Sequence, residues 1–276
     1  TVSCQSSTLS AESGAVGMMP ALRKIASTLP NFSFAILTIS SLSAGTDLRA
    51  VNERILALAA AQSADITQRV TSDGIRVCRG TGRLLSPSRV QVDFSDGGSE
   101  DLEADVILVA TGATPRVMAT ARPDGERILT WTQIYAVDRV PEKLVVVGSG
   151  VTGAELAQAY LGLGSQVTLV SSRDQVLPGG DSDAAKVIED VFKREGMQVL
   201  SRSRMSAVER TSDGVLVRLE DGRTVEGSHA LLAVGSVPNT RGIGLEPAGV
   251  LLGPGGHIQV DGVSRTSVRG VYAAGD

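Results

Sequence analysis

The chain has 276 residues, of which 42 % are apolar and 20 % charged, and its formal net charge is −4. This composition is typical of a globular protein, and the negative charge provides no electrostatic footprint for nucleic acid. No apolar run approaches the ~18 residues of a membrane span, so no transmembrane helix is expected. With two cysteines and two histidines, neither a disulfide framework nor a histidine-rich metal site is expected, and reduced thiols favour a cytoplasmic location.

Residues 1–46 differ in composition from the rest of the chain. They hold fifteen Ser or Thr residues and a single acidic residue, Glu12. This start lacks the arginine enrichment of a transit peptide and the basic opening of a secretory signal. We therefore leave residues 1–46 unassigned. The two alternatives are a disordered segment and a segment that is not native to this fold.

The stretch from residue 47 to residue 110 is predicted to hold one helix followed by short strands. Apolar residues spaced three and four apart predict a helix that is capped by Thr46 or Asp47 and stopped by Gly74. Strands are predicted after it at residues 75–78, 89–94 and 105–110, with a glycine turn at 96–98. The last strand is apolar enough to be buried on both faces.

From residue 143 onward the pattern alternates between buried strands and helices. Strands are predicted at residues 144–147, 167–170, 197–200 and 229–234, and helices at 153–163 and 181–195. A β-rich stretch with a turn at Asp221-Gly222 covers residues 205–225. This alternation is typical of a parallel α/β sheet.

A glycine motif, G-x-G-x-x-G, joins the predicted strand LVVV to the helix that follows it. In this context the motif is typical of a dinucleotide-binding loop. The first glycine permits a tight turn, the second lets a pyrophosphate approach the backbone, and the third lets helix and strand pack closely. Free N–H groups and the positive dipole end of the helix would then face the phosphates. A turn without a ligand is the alternative. The predicted cofactor residues of this loop are Gly148, Ser149, Gly150, Val151, Thr152 and Gly153.

The residues that follow the second strand of this unit are expected to lie near the ribose of the cofactor. Sites that bind NAD place an Asp or Glu there, ~20 residues after the motif begins, to accept a hydrogen bond from the 2′-hydroxyl. Here the strand is followed by Ser171, Ser172 and Arg173, and the first carboxylate is Asp174. The arginine and the two hydroxyls are therefore predicted to bind the 2′-phosphate of NADPH. A solvated Arg173 and a site indifferent between NADH and NADPH are the alternative.

Three further segments have a recognisable sequence: ATGATPR at 110–116, GSVPNT at 235–240 and RTSVRGVYAAGD at 265–276. Together with GSGVTGAE at 148–155, in this order and spacing, they resemble the pyridine nucleotide-disulfide oxidoreductase family. These are the two-dinucleotide-domain flavoproteins that include lipoamide dehydrogenase and glutathione reductase. The resemblance covers about Val51 to Asp276, and within the family the chain is most similar to the lipoamide dehydrogenase-like NAD(P)H quinone reductases of actinobacteria.

The resemblance implies an α/β fold in which a Rossmann-like NAD(P)-binding domain is inserted into an incomplete FAD-binding domain. It divides the chain into a partial FAD domain at 47–112, the NAD(P) domain at 113–242 and a return segment of the FAD domain at 243–276. Residues 1–46 contain no G-x-G-x-x-G for the ADP half of FAD, and the family's C-terminal interface domain is not present. The chain is therefore expected to be a fragment.

The resemblance also implies roles for individual residues. Thr111 and Gly112 lie at the family's crossing from the FAD domain into the NAD(P) domain, and Gly235 lies at the second crossing, close to the nicotinamide. Glu155 matches the family's acid near the nicotinamide and the flavin. Asp276 matches the acid that hydrogen-bonds the ribityl chain of FAD.

The implied cofactors are FAD and NAD(P)H, and the implied reaction passes a hydride from NAD(P)H to the flavin and on to an acceptor. The family's redox disulfide joins two cysteines a few residues apart, a spacing that Cys4 and Cys78 do not match. A quinone or another small acceptor is therefore favoured, and Cys78 is interpreted as a small buried hydrophobe on a strand.

Two alternative functions are kept: a dihydrolipoamide dehydrogenase and a non-catalytic NAD(P)-binding fragment. His229 and His257 do not match the family's catalytic His–Glu pair, so no catalytic residue is assigned. Family members are usually homodimers, and the oligomeric state of this chain is left open.

Overall fold

The computed structural model describes residues 47–276, and the predictions made for residues 1–46 lie outside that range. The described part begins with a helix, α1 (Leu48–Ser72), as predicted. Asp47 caps it, because its carboxylate accepts a hydrogen bond from the N–H of Ala50 at 3.1 Å. Gly74 follows the helix with φ of 79°, a left-handed conformation that is common where helices end.

The apolar side of α1 is buried only at its N-terminal end. Leu48 belongs to the main core, and the side chain of Asn52 donates a hydrogen bond to the carbonyl of Val137 at 2.9 Å. Further along the helix, Leu58 and Ile66 are exposed to solvent within the described part of the chain. The predicted helix is therefore confirmed, whereas its periodic apolar face is only partly used for packing.

A three-stranded antiparallel sheet follows α1. Its strands are β1 (Gly80–Ser86), β2 (Arg89–Phe94) and β3 (Ser99–Glu103), in that order. The prediction for residues 89–94 is confirmed. The strand predicted at 75–78 is wrong, because β2 pairs with the residues from Gly80 onward and residues 75–78 remain irregular. Cys78 is consequently half-buried in an irregular segment rather than buried on a strand.

Four short strands form two separate pairs. The strands are β4 (Ile107–Val109), β5 (Ala113–Pro115), β14 (Ser236–Pro238) and β15 (Val271–Ala273). β4 pairs with β15 in parallel, and β5 pairs with β14 in antiparallel orientation. The prediction that residues 105–110 are buried on both faces is wrong: Leu108 is 62 % exposed. The reason is that β15 is the one neighbour of β4 among the described strands.

A five-stranded parallel sheet forms the centre of the described structure. In chain order its strands are β6 (Ile128–Thr130), β7 (Lys143–Val147), β8 (Gln166–Val170), β9 (Gln198–Leu200) and β13 (His229–Leu232). The spatial order is β6-β13-β7-β8-β9, and every pairing is parallel, which confirms the predicted sheet. Helix α2 (Val151–Gly162) connects β7 to β8, and α3 (Ser182–Arg194) connects β8 to β9.

The two faces of the central sheet bury alternate residues of each strand. Leu144 and Val146 of β7 pack on the helical side, among side chains of α2 such as Ala157. Val145 and Val147 point to the opposite side. That side is covered by an antiparallel sheet of β10 (Met205–Arg210), β11 (Val215–Leu219) and β12 (Thr224–Gly227), which confirms the predicted β-rich stretch.

A third apolar cluster lies between the antiparallel sheet of β1 and the last segment of the chain. Its buried members are Leu84, Leu245, Val250 and Val271. The N–H of Leu84 also donates a hydrogen bond to the carbonyl of Ile243 at 2.8 Å. Residues that precede the central sheet in the sequence therefore share one core with residues that follow it, as expected when one domain is inserted into another.

Candidate functional site

The glycine loop joins the carboxyl end of β7 to the N-terminus of α2. Gly148 has φ of 110°, and a Cβ placed on it would collide with the carbonyl oxygen of Ala233. A Cβ on Gly153 would collide with the carbonyl oxygen of Gly148. The turn and the close approach of helix and strand thus require glycine at both positions, as the motif predicts.

At Gly150, neither the backbone conformation nor the neighbouring protein atoms require glycine. Its backbone has φ of −66° and ψ of −178°, which any residue adopts, and a Cβ on it would meet no atom within 4 Å. It is also the N-cap of α2 and provides no side-chain hydrogen bond to the first turn, where Val151 and Thr152 are exposed. The first turn of α2 is therefore exposed, and the space beside the Cα of Gly150 is open, which suits the close approach of a phosphate to the N–H groups of a helix N-terminus.

Two buried serines connect the glycine loop to the end of β8. The hydroxyl oxygens of Ser149 and Ser171 lie 2.6 Å apart, and both residues are less than 5 % exposed. The hydroxyl of Ser171 also accepts a hydrogen bond from the N–H of Arg173 at 3.0 Å. Both hydroxyls, which the sequence assigns to cofactor binding, are therefore engaged inside the protein.

The accessible residues at the end of β8 are Ser172 and Arg173, which are both exposed. They lie at the carboxyl edge of the parallel sheet, where the ribose of a dinucleotide is bound in this type of fold. An open depression of about 580 Å³ begins there and is lined by Arg173, Asp174, Gln175, Pro178 and Gly179. Of the residues predicted to meet a 2′-phosphate, these two remain candidates and Ser171 does not.

A second arginine, missed by the sequence analysis, lies beside this edge. Arg202 follows β9, and its N–H donates a hydrogen bond to the carbonyl of Arg173 at 2.9 Å. Its guanidinium Nε lies 2.6 Å from a carboxylate oxygen of Asp174. Because neighbouring parallel strands end at the same edge, the pairing of β8 with β9 was the signal that would have located Arg202.

Glu155 lies half-buried in the second turn of α2. Its negative charge acts on Tyr135, which belongs to a short 3₁₀ segment, Gln133–Ala136. Burial raises the pKa of the Tyr135 phenol, and the charge of Glu155 raises it further. This tyrosine therefore stays protonated around neutral pH, next to the acid that the resemblance assigns to the cofactors.

The two crossing segments, at Thr111-Gly112 and after Gly235, lie next to each other. Asn239 joins them, because its N–H donates to the carbonyl of Gly112 at 2.9 Å and its side-chain amide donates to that of Thr111 at 3.0 Å. Gly235 at the second crossing is exposed and accepts a hydrogen bond from the N–H of Arg116 at 3.0 Å. The sequence analysis predicted three of these crossing residues and missed the role of Asn239.

Asp276 follows β15 and is exposed. The N–H of Ala274 donates to the carbonyl of Val109 at 3.1 Å, so the chain continues along β4 at this point. Since β4 and β15 are parallel, Asp276 and Thr111 leave the sheet at the same edge. The pairing therefore brings the residue assigned to the flavin chain to the edge that bears the first crossing.

His229 and His257, the two histidines of the chain, belong neither to the glycine loop nor to the two crossings. His229 is half-buried, and burial together with the nearby charge of Arg127 lowers its pKa, while His257 is exposed. Among residues 47–276, no three His, Cys, Asp or Glu side chains are grouped so that they could hold a metal ion. None of the helices in this range has the length and apolar character needed to cross a membrane.

Comparison with known proteins connects this geometry to a family. The chain is 53 % identical over 232 residues to NAD(P)H dehydrogenase (quinone) of Mycobacterium tuberculosis, covering 82 % of the chain and 47 % of that protein. It is 34 % identical over 203 residues to the dihydrolipoyl dehydrogenase of Bacillus subtilis, covering 73 % of the chain and 44 % of that protein.

Solved structures show the same fold. The crystal structure of LpdA from Mycobacterium tuberculosis matches 88 % of the chain and 57 % of its own length, with a TM-score of 0.82 and 48 % identity. The flavoprotein disulfide reductase RclA of Escherichia coli, at 20 % identity, covers 88 % of the chain and 55 % of its own length with a TM-score of 0.77. The chain thus has the α/β fold of these flavoproteins and spans about half the length of the relatives it matches.

The family model that matches the chain is that of the pyridine nucleotide-disulphide oxidoreductases, and it covers residues 13–276. This match is wider than the stretch from Val51 onward that carries the sequence motifs. The motifs, the fold and the relatives agree, and the chain belongs to the pyridine nucleotide-disulphide oxidoreductase family.

Proposed function

We propose that the chain is part of an FAD-dependent oxidoreductase that takes a hydride from NAD(P)H and reduces a quinone or a similar small acceptor. The observation that carries the proposal is the glycine loop, in which Gly150 leaves an open space at the N-terminus of α2, where no side chain caps the helix. The name of the 53 % identical relative, NAD(P)H dehydrogenase (quinone), supports the quinone as acceptor.

In this proposal the pyrophosphate of NAD(P)H lies over the glycine loop, with Val151 and Thr152 in the exposed first turn of α2. The buried pair of Ser149 and Ser171 holds the loop against the end of β8 without contacting the ligand. Ser172 and Arg173 then meet the ribose, and a guanidinium beside a hydroxyl is suited to a 2′-phosphate. NADPH is therefore proposed as an accepted cofactor.

FAD, when bound, supplies the chemistry by accepting the hydride and passing electrons to the acceptor. Thr111, Gly112 and Gly235 are proposed to border the two cofactors, because small residues and bare backbone let a planar ring approach. Asp276 is proposed to accept a hydrogen bond from the flavin's ribityl chain, and its exposed carboxylate suits that role. Glu155, beside Tyr135, is proposed to face the nicotinamide end.

The division of the chain also belongs to the proposal. Residues 47–112 and 243–276 are assigned to the FAD domain and residues 113–242 to the NAD(P) domain. The apolar cluster that joins Leu84 to Leu245 supports this division, since it unites the first and last of these segments. A cytoplasmic location, which the two-cysteine composition favours, stays a prediction.

Two alternatives have specific support. The 34 % identity to a dihydrolipoyl dehydrogenase favours a dihydrolipoamide dehydrogenase, which exchanges electrons with a dithiol–disulfide couple, although Cys78 is the single cysteine between residues 47 and 276. The second alternative is an NAD(P)-binding chain that holds flavin poorly; the glycine loop supports it, because this loop joins β7 to α2 within the central sheet alone. A stoichiometric flavin spectrum in the purified chain would refute this second alternative.

The proposal is tested by replacing Gly150 with alanine in the full chain. The new methyl group meets no protein atom, so we expect an unchanged melting temperature and at least a tenfold weaker binding of NADPH and NADH by calorimetric titration. Gly162→Ala is the matched control, because it adds the same methyl group without a close contact at the far end of the same helix. Unaltered affinity in Gly150→Ala, or no binding by the unaltered chain, would contradict the proposal.

A further inference from the structure

We propose that the ion pair between Asp174 and Arg202 sets the preference of this site for NADPH over NADH. In this view Arg202 is a specificity-determining residue, which masks the carboxylate of Asp174 and keeps the strand end positive. The inference rests on the proposed function, because it concerns the ribose end of the NAD(P)H site.

The backbone brings the two loops of this edge together. The N–H of Arg202 donates to the carbonyl of Arg173 at 2.9 Å, and the N–H of Ser203 donates to the carbonyl of Ser171 at 2.7 Å. The loop after β9 is thereby joined to the loop after β8. This is the strand end at which dinucleotide sites recognise the 2′ position of the ribose.

Arg202 is held in an uncommon backbone conformation. Its φ is 52°, in the left-handed region that non-glycine residues seldom adopt. From this position Nε of Arg202 reaches a carboxylate oxygen of Asp174 at 2.6 Å. The loop therefore directs a long cationic side chain to the first carboxylate after β8, at the cost of an unfavourable backbone angle.

The ion pair itself contributes little to the stability of the fold. The side chains of Arg202 and Asp174 are 79 % and 74 % exposed, and ion pairs with this exposure are screened by solvent and salt. An effect on a charged ligand is expected to be larger than an effect on folding. A phosphate on the 2′ position would meet the whole set of charges, whereas a 2′-hydroxyl carries no charge for them to act on.

The sign of the effect follows from counting charges at the strand end. Arg173 and Arg202 contribute two positive charges and Asp174 one negative charge, so the set has a net charge of about +1. Removing the charge of Arg202 leaves Asp174 to cancel Arg173 and to repel a phosphate. Removing the charge of Asp174 raises the net charge to about +2 and frees both arginines for the phosphate.

The opposite role for Asp174 is the competing interpretation. If its carboxylate accepts a hydrogen bond from the 2′-hydroxyl of NADH, as an acid at this place does in NAD-specific sites, its removal should weaken NADH. The charge-masking role predicts that NADH is insensitive to Asp174 and that NADPH binds more tightly without it. Titrations with both cofactors therefore distinguish the two roles.

The experiment compares Arg202→Gln, Asp174→Asn and the double variant in the full chain by calorimetric titration with NADPH and NADH at low ionic strength. We expect Arg202→Gln to weaken NADPH by about three- to tenfold and Asp174→Asn to strengthen it by a similar factor. NADH should stay within about twofold in each variant, and the double variant should return towards the unaltered chain. High salt should reduce all of these differences.

Arg69→Gln is the matched control, because Arg69 forms a similarly exposed ion pair with Asp65 on α1, outside the central sheet. It should leave the ratio of the two dissociation constants unchanged. A ratio in Arg202→Gln equal to that of the control, or weaker NADH binding in Asp174→Asn, overturns the inference while the proposed function stands. An unaltered chain that binds neither cofactor overturns both.

Discussion

The carboxylate of Asp124 is one of the most heavily hydrogen-bonded side chains of the described structure. One oxygen accepts from three backbone N–H groups of residues 126–128 at 2.8–2.9 Å, and the other lies 3.1 Å from the guanidinium of Arg210. Burial raises the pKa of Asp124, but these hydrogen bonds and the charge of Arg210 outweigh it and hold the pKa below the usual 3.8. The folded chain therefore releases this proton more readily than the unfolded chain.

This shift predicts how stability depends on pH. The contribution of Asp124 is fully present above the unfolded pKa near 3.8 and is lost as the pH falls through the lower folded pKa. Asp124→Asn keeps the accepting oxygen but removes the charge. We expect the free energy of unfolding in urea to fall by about 1 kcal/mol at pH 6, and the difference between the two proteins to shrink at pH 3. An equal difference at both pH values would contradict this account.

At the scale of elements, the third helix begins and ends where local chemistry requires. The carboxylate of Asp181 accepts hydrogen bonds from the N–H groups of Asp183 and Ala184, both at 3.0 Å. Lys193 and Arg194 lie in the last turn, where positive charge interacts favourably with the helix dipole. The helix then packs against the central sheet through side chains such as Phe192.

Removal of this cap should loosen the helix without unfolding the sheet. Asp181→Ala leaves two N–H groups of the first turn without their acceptor, so we expect a loss of about 1 kcal/mol in the free energy of unfolding. Hydrogen exchange should rise first in residues 182–185. Asp181→Asn is the control, because asparagine caps a helix about as well as aspartate. Equal losses in the two variants would show that charge and not capping is responsible.

At the scale of the whole molecule, the described residues have three apolar clusters rather than one. Two lie on the opposite faces of the central sheet, and the third joins Leu84 of β1 to Leu245 near the end of the chain. The glycine loop is built on the central sheet alone, since it joins β7 to α2. Stability and cofactor binding should therefore respond separately to mutations in the two parts.

The same substitution in two clusters tests this separation. Leu245 and Leu169 are each no more than 2 % exposed, so Leu245→Ala and Leu169→Ala should each cost about 2–5 kcal/mol of stability. We expect folded Leu245→Ala to bind NADPH within about twofold of the unaltered chain. Leu169→Ala, in the strand next to the glycine loop, should bind it more weakly. Equal losses of affinity in titrations at low temperature would contradict the separation.

Local sequence signals predicted the elements whose conformation depends on nearby residues. The helix behind the Asp47 cap, the strand at 89–94, the third helix and the glycine loop all agree with their patterns, because caps, turns and periodicity act within a few residues. The pattern failed at 75–78 and at 105–110. Strand formation and burial in these two segments depend on which distant strand pairs with them, and the local sequence does not reveal that partner.

The sequence by itself determined the parallel α/β fold, the glycine loop and the family, because glycine positions, buried strands and motif order can be recognised from the order of residues along the chain. Only the tertiary structure decided which residues at the strand end face a ligand. It turned the hydroxyl of Ser171 inward to Ser149 and brought Arg202 beside Arg173 and Asp174. The physical reason is that neighbouring parallel strands end at the same edge, so residues about 30 positions apart become neighbours.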